Sequence, residues 1–166
     1  MQLVLLRHGI AQDRADPATP PDPERRLTPR GERRTLQAAR GLRALFPEPR
    51  IVLSSPFVRA RQTADLALEG LGARAVDVVP TDALLPEAPP ADLLRVLERT
   101  GVDQVLAVGH APNLDLVVAH ALGAPGAVTA LKKAGAACLE LTPGAGPGRL
   151  VWLLEPRALR LLARRT

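Results

Sequence analysis

The stretch Leu3-Val4-Leu5-Leu6-Arg7-His8-Gly9 is an apolar run that stops abruptly on an arginine, a histidine and a glycine. An uninterrupted apolar run reads as a strand covered on both faces, as in a parallel sheet. In open α/β sheets ligands sit beyond the carboxyl ends of the strands, so Arg7 and His8 fall where a site is expected. A guanidinium offers a rigid fork of donors to phosphate oxygens. A neutral imidazole serves as nucleophile or as acid and base. Gly9 permits a turn and close approach of the backbone to a ligand.

Two later junctions repeat the pattern. Ile51-Val52-Leu53 runs into Ser54-Ser55-Pro56-Phe57-Val58-Arg59, and Val105-Leu106-Ala107-Val108 runs into Gly109-His110. If the strands are parallel, their tips share one edge of the sheet, and Arg7, His8, Arg59 and His110 converge on one small pocket. Ser55-Pro56 has the chemistry of a helix start, which puts Arg59 in a first turn where the free N–H groups favour an anion. Thr63 shares the helix face of Arg59 at i, i+4 spacing, whereas Arg61 points elsewhere. Arg59 is therefore the expected phosphate ligand, and Arg61 a surface or supporting residue.

Strands are expected at Gln2–Arg7, Ile51–Leu53, Ala75–Val79 and Val105–Val108. Helices alternate with them: one from Thr28-Pro29 to about Leu45, one from Ser55-Pro56 to about Leu68, one capped by Asp92 and running through Leu97, and one over Asn113–Leu122. The polar, Pro-rich segment Asp13–Arg26 reads as a long surface loop beside the site. Gly135–Leu141 and Arg149–Leu154 flank Pro143-Gly144-Ala145-Gly146-Pro147, which is turn chemistry, so they form an expected antiparallel hairpin. The tail Ala158–Arg165 alternates Leu with Arg at helical spacing and reads as an amphipathic helix packed on the sheet. The expectation is a single α/β domain over residues 1–166, in three α/β/α layers, with a mostly parallel central sheet and a C-terminal antiparallel hairpin and helix.

A chain of 166 residues is long enough for one domain with a real core. Apolar residues make up 46%, but aromatics only 2% and tyrosine is missing, so that core is built from Leu, Val and Ala. The net charge of +5 comes from arginines spread over Arg25–Arg43, Arg95–Arg99 and Arg157–Arg165, with no aromatic platform between them. That pattern reads as a solvated helical surface, not a nucleic-acid interface. The lone Cys138 reads as a small buried residue without a disulfide partner. The opening apolar run is too short for the core of a signal peptide, and no segment approaches the roughly 20 apolar residues of a membrane span. The expectation is a cytoplasmic, reduced protein with neither a membrane nor a nucleic-acid partner.

Arg7-His8-Gly9, the run Ser-Ser-Pro-x-x-Arg-Ala-x-Gln-Thr from Ser54 to Thr63, and Gly109-His110 follow one another in this order. Together they resemble the histidine phosphatase superfamily, also called phosphoglycerate mutase-like. Arg-His-Gly-Ile-Ala at Arg7–Ala11, Arg-x-Leu-Thr-x-x-Gly ending at Gly31, and Gly-His-x-Pro at Gly109–Pro112 are similar to its short SixA-type phosphohistidine phosphatases. That resemblance implies that His8 attacks phosphorus in line and that water then releases inorganic phosphate. It implies that Arg7, Arg59 and His110 hold the phosphoryl oxygens, with Gly9 and Ser55 completing the binding set. No metal or other cofactor is implied, and the substrate would be a protein phosphohistidine or a small phosphorylated molecule.

Many relatives also use a carboxylic acid after the third strand to protonate an alkoxide leaving group. Here Asp82 and Glu87 are the candidates, and Glu87 is the one expected to donate a proton if either does. A P–N bond to histidine breaks with less help, and the short phosphohistidine phosphatases generally do without that acid. A small-molecule phosphomonoesterase or mutase is the alternative enzyme, and a phosphate- or phosphopeptide-binding module is the alternative outside catalysis. His110, His120 and Asp115 invite a zinc reading, but no Cys/His cluster of ligand spacing supports it.

Overall fold

Strand β1 (Gln2–Arg7) is apolar along its length because helices cover it on both sides. Val4 and Leu6 face one layer, in which α1 (Pro29–Leu42), α2 (Val58–Leu71) and α5 (Pro156–Leu162) bury Leu42, Ala64 and Leu159. Leu3 and Leu5 face the other, in which α3 (Pro90–Thr100) and α4 (Asn113–Ala121) bury Leu93, Leu97, Leu114 and Val118. Fully burying one such side chain contributes about 1.5–3 kcal/mol, and the two layers together hold the sheet. In the computed structural model of the protein, residues 1–46, 48–142 and 146–164 are described.

The sheet has six strands in the order β3-β2-β4-β1-β5-β6. β1 pairs in parallel with β4 (Gln104–Gly109), β4 with β2 (Ile51–Ser54), and β2 with β3 (Val78–Pro80). On the other side β5 (Ala136–Glu140) runs antiparallel to β1, and β6 (Arg149–Leu154) antiparallel to β5. β6 forms the sheet edge, and its side chains alternate between exposed and half-buried. This is the expected α/β architecture, with a mostly parallel sheet between helical layers and an antiparallel C-terminal pair. Cys138 is buried and free. Among the described residues no helix is long and apolar enough to cross a membrane.

Local starts differ from the sequence expectations in four places. Phe57, not Ser55, is the N-cap of α2, and no side chain caps it. The Ser55 hydroxyl has a tertiary partner instead, described below. Helix α3 begins at Pro90, two residues before the expected cap Asp92, which lies inside its first turn. Proline loses nothing at a first helical position, since that N–H is unbonded anyway. β3 covers Val78–Pro80, with Ala75 and Val76 in the turn before it. Helix α5 starts at Pro156, ahead of the expected Ala158. Pro143, Gly144 and Ala145 of the expected hairpin turn, and Arg165 of the tail, lie outside the described residues.

The start of α1 anchors the segment that follows the tip of β1. Thr28 caps the helix as expected, its Oγ1 accepting from the Gly31 N–H at 3.0 Å. The Thr28 N–H in turn donates to the Ile10 carbonyl at 2.9 Å. A Cβ on Gly31 would lie 2.0 Å from that same Ile10 oxygen. Only glycine lets α1 seat this closely, which gives the Arg-x-Leu-Thr-x-x-Gly pattern a packing reason. Gly31→Ala therefore overpacks the contact and lowers stability by about 1–3 kcal/mol, read as a lower urea midpoint. An unchanged midpoint would show that the helix can back away freely.

Candidate active site

Registered strands bring the three predicted tips together. Arg7 pairs with Gly109 and Ser54 with Val108, so the ends of β1, β4 and β2 lie side by side. The backbone continues the ladder one step further: His8 N–H donates to Gly109 O at 3.0 Å and Ser55 N–H to Val108 O at 2.9 Å. A cavity of about 550 Å³ opens there, with Arg7, His8, Arg59 and His110 in its wall. Those four are the residues the sequence expected to converge.

The imidazole of His8 is set in one tautomer. Its Nδ1 lies 2.7 Å from the Gly9 carbonyl, which can only accept, so Nδ1 carries the proton. Nε2 keeps its lone pair and accepts from Arg59 Nε at 3.3 Å. Burial pushes the His8 pKa down to about 3, and the charges of Arg59, Arg7 and Lys133 add to that against the Gly9 carbonyl. Gly9 is held in turn, its N–H donating to Thr63 Oγ1 at 3.0 Å. Thr63 Oγ1 itself donates to the Arg59 carbonyl at 2.7 Å. The i, i+4 pair on α2 thus ties the tip of β1 to the helix that carries Arg59.

His110 stands beside His8, with ring centroids 4.9 Å apart. Ser55 Oγ accepts from the Phe57 N–H at 3.3 Å and lies 2.9 Å from His110 Nε2. His110 Nδ1 is buried without a partner. Its pKa is pushed down to about 2, by burial first and then by His8 and Arg59. Arg7 donates from Nη1 to Leu131 O at 2.6 Å, while its Nε is also buried and unpartnered. An unsatisfied buried donor costs about 1–3 kcal/mol.

Arg59 is 1% exposed and belongs to the first turn of α2, as expected. Its Nη1 donates to the Asp22 carbonyl at 2.6 Å and its Nη2 to Asp22 Oδ2 at 3.1 Å. Gly9 and Ser55 are brought to the site, but they hold His8 and His110 and do not line the cavity. Glu87 is exposed in the turn after Pro86, and Pro86, not Glu87, lines the cavity. Asp82 is exposed in a short 3₁₀ turn, Asp82–Leu84. Arg61 pairs with Asp65 on the surface, outside the wall. His120 lines a separate cavity of about 230 Å³ with Met1 and Leu141, and Asp115 accepts from Thr129 and Leu131. Among the described residues no three His, Cys, Asp or Glu side chains cluster as a metal site.

Arg14, Arg25, Asp13 and Lys133 also line the cavity, and sequence reasoning assigned none of them to the site. Arg25 heads the Arg-x-Leu-Thr-x-x-Gly pattern, and Lys133 is one of only two lysines in the chain, which were the available signals.

Residues 3–85 match the family described as the histidine phosphatase superfamily (branch 1). The chain belongs to that superfamily. Among its relatives is the phosphohistidine phosphatase SixA of Escherichia coli, 30% identical over 97% of this chain and 98% of that protein. An uncharacterized protein of Picosynechococcus sp. is 40% identical over 81% of this chain and 82% of its own length. Of solved structures, the protein histidine phosphatase SixA complexed with tungstate superposes with a TM-score of 0.78 at 28% identity, covering 96% of this chain and 99% of that one. This histidine phosphatase thus has the SixA-type fold along nearly its whole length.

Both rings are neutral in the folded protein where an unfolded chain would protonate them, below the ordinary 6.5. The unfolded state therefore binds more protons between about 6.5 and about 3, and stability falls as pH drops through that window. The His8 and His110 ring resonances should keep neutral chemical shifts down to pH 5 in an NMR titration of the free protein. A midpoint near 6.5 for either ring would contradict the burial argument.

Proposed function

We propose that the protein is a metal-independent phosphatase that forms a phosphohistidine on His8 and takes protein phosphohistidine as its substrate. The observation that carries this reading is the orientation of His8. Its Nδ1–H is committed to Gly9 O, and its Nε2 lone pair is buried in a cation-lined cavity beside Arg59 Nε. A buried neutral imidazole is a competent nucleophile at pH 7.

In the first step the Nε2 lone pair gives up its hydrogen bond from Arg59 Nε and attacks phosphorus in line, the N–P bond forms, and the bond to the leaving group breaks. A substrate imidazole that bears a proton on its other nitrogen leaves as neutral imidazole, so it requires no acid. Transfer from one imidazole to another also leaves the bond energy nearly unchanged. In the second step water attacks phosphorus, the N–P bond breaks, and the phosphoryl group departs as dihydrogen phosphate carrying both water protons. His8 then leaves as neutral imidazole, because Nδ1 has kept its hydrogen throughout. Charge spreads over the equatorial oxygens in a loose transition state. Arg7, Arg59 and His110 are the groups that stabilise it. Arginine supplies charge neutralisation that many phosphoryl-transfer sites take from a cation.

The position of Glu87 outside the cavity wall supports a P–N substrate over an ester. A second reading, a small-molecule phosphomonoesterase, has one observation in its favour: Asp13 is a carboxylate in the wall and could protonate an alkoxide.

The test is a panel of phosphohistidine peptide, phosphoserine peptide and sugar phosphates with EDTA present. The parent should hydrolyse phosphohistidine best, and His8→Ala should lose about 10³-fold or more. Glu87→Gln should leave P–N hydrolysis unchanged. Ester hydrolysis that dominates and collapses in Asp13→Asn would establish the phosphomonoesterase instead. Phosphopeptide binding without turnover in the parent would make it a binding module.

A further inference from the structure

Asp22 is the hub of a cluster that the chemistry above does not use. It begins a short helical turn, Asp22–Glu24, in the long loop between β1 and α1. Its Oδ1 accepts from Arg14 Nε at 2.7 Å and from Arg25 Nε at 2.8 Å, and its Oδ2 from Arg59 Nη2 at 3.1 Å. Its own carbonyl accepts from Arg59 Nη1 at 2.6 Å. One residue therefore engages three guanidinium groups, and Arg59 from both ends of its fork.

The placement of this carboxylate decides what it does. Arg14, Arg25 and Arg59 line the cavity, whereas Asp22 does not. The carboxylate stands behind the arginines and not in the seat of the anion. Of the five N–H groups on Arg59, Nε reaches His8 and one hydrogen of each Nη reaches Asp22. One hydrogen on each Nη remains for phosphoryl oxygens, in a plane that Asp22 fixes. Arg25 is held likewise through Nε and through an Nη1 bond to the Gln12 carbonyl, which leaves Nη2 free. Without a shared counter-ion the like charges would repel, and their long side chains would regain rotamer freedom.

We propose that Asp22 is a positioning residue of the phosphoryl site, holding the guanidinium planes of Arg59 and Arg25 from behind so that they face the group attacked by His8. The proposal rests on the function argued above and adds a residue to it. Partial burial pushes the Asp22 carboxyl up, but the hydrogen bonds and charges of Arg14, Arg25 and Arg59 outweigh it and hold the group well below the usual carboxylate range. It is therefore ionised at neutral pH, where His8 is neutral. Because the arginine contacts strengthen as charge reaches the equatorial oxygens, Asp22 acts more on the transition state than on the bound ground state.

The experiment compares the parent with Asp22→Ala and the isosteric Asp22→Asn, using tungstate binding by calorimetry, steady-state kinetics on a phosphohistidine peptide, and thermal melts. Tungstate should bind at least tenfold more weakly to Asp22→Ala. Its kcat should fall by a larger factor than KM rises, and Asp22→Asn should fall between it and the parent. Parent-like kcat/KM in Asp22→Ala would overturn the proposal. So would tighter tungstate binding, since the carboxylate would then be a competitor of the anion. Should Asp22→Ala fail to fold, the same criteria apply to Asp22→Asn. A parent that binds tungstate but turns over no substrate defeats the proposed function alone, and the binding comparison still decides the role of Asp22. A parent that binds no tungstate overturns both.

Discussion

The hydrogen bond from His8 Nδ1–H to the Gly9 carbonyl, 2.7 Å long, is the constraint on which the site depends. It decides which ring nitrogen carries the lone pair, and so from which side a phosphoryl group can be attacked. The bond exists because the chain turns immediately after β1. Gly9 can make that turn tightly: a Cβ there would lie 2.2 Å from Thr35 Oγ1 on α1. Gly9 is also fixed to Thr63 on α2, so the residue whose carbonyl selects the tautomer is itself anchored to a helix. The core reaches the chemistry through this short chain of contacts.

The electrostatics follow from the same placement. A histidine surrounded by cationic side chains and removed from water does not take a further positive charge into the cluster. Burial and the arginines act in the same direction on His8 and His110, and both rings stay neutral. A cavity lined by cations with neutral imidazoles between them attracts a phosphoryl dianion, while the nucleophile inside it remains unprotonated. The Arg7 and Arg59 guanidinium groups are held in place before any ligand arrives. Such preorganised donors cost little to engage when the transition state forms.

The central architecture was legible because two signals were physical necessities. Strands buried on both faces must be continuously apolar, which made β1, β2 and β4 readable. Parallel strands must present their tips on one edge, which made Arg7, His8, Arg59 and His110 readable as a group. What was misread had tertiary causes. Ser55 carries helix-cap chemistry, but its hydroxyl is spent on His110, and α2 begins at Val58 behind a Phe57 cap. β3 is a three-residue strand, too short for any periodicity to locate. Arg14, Asp22, Arg25 and Lys133 sit on loops, whose folding follows side-chain contacts between distant residues and leaves no repeat in the sequence. Glu87 was singled out by its place after the third strand, and the turn at Pro86 exposes it.

The most direct measurement is to trap the enzyme during turnover of a phosphohistidine peptide at alkaline quench and locate the phosphoryl group by mass spectrometry and ³¹P NMR. The account predicts an acid-labile phosphoryl group on His8, attached at Nε2 and not at Nδ1. A phosphoryl group on Nδ1 of His8, on His110, or on an oxygen nucleophile would contradict it.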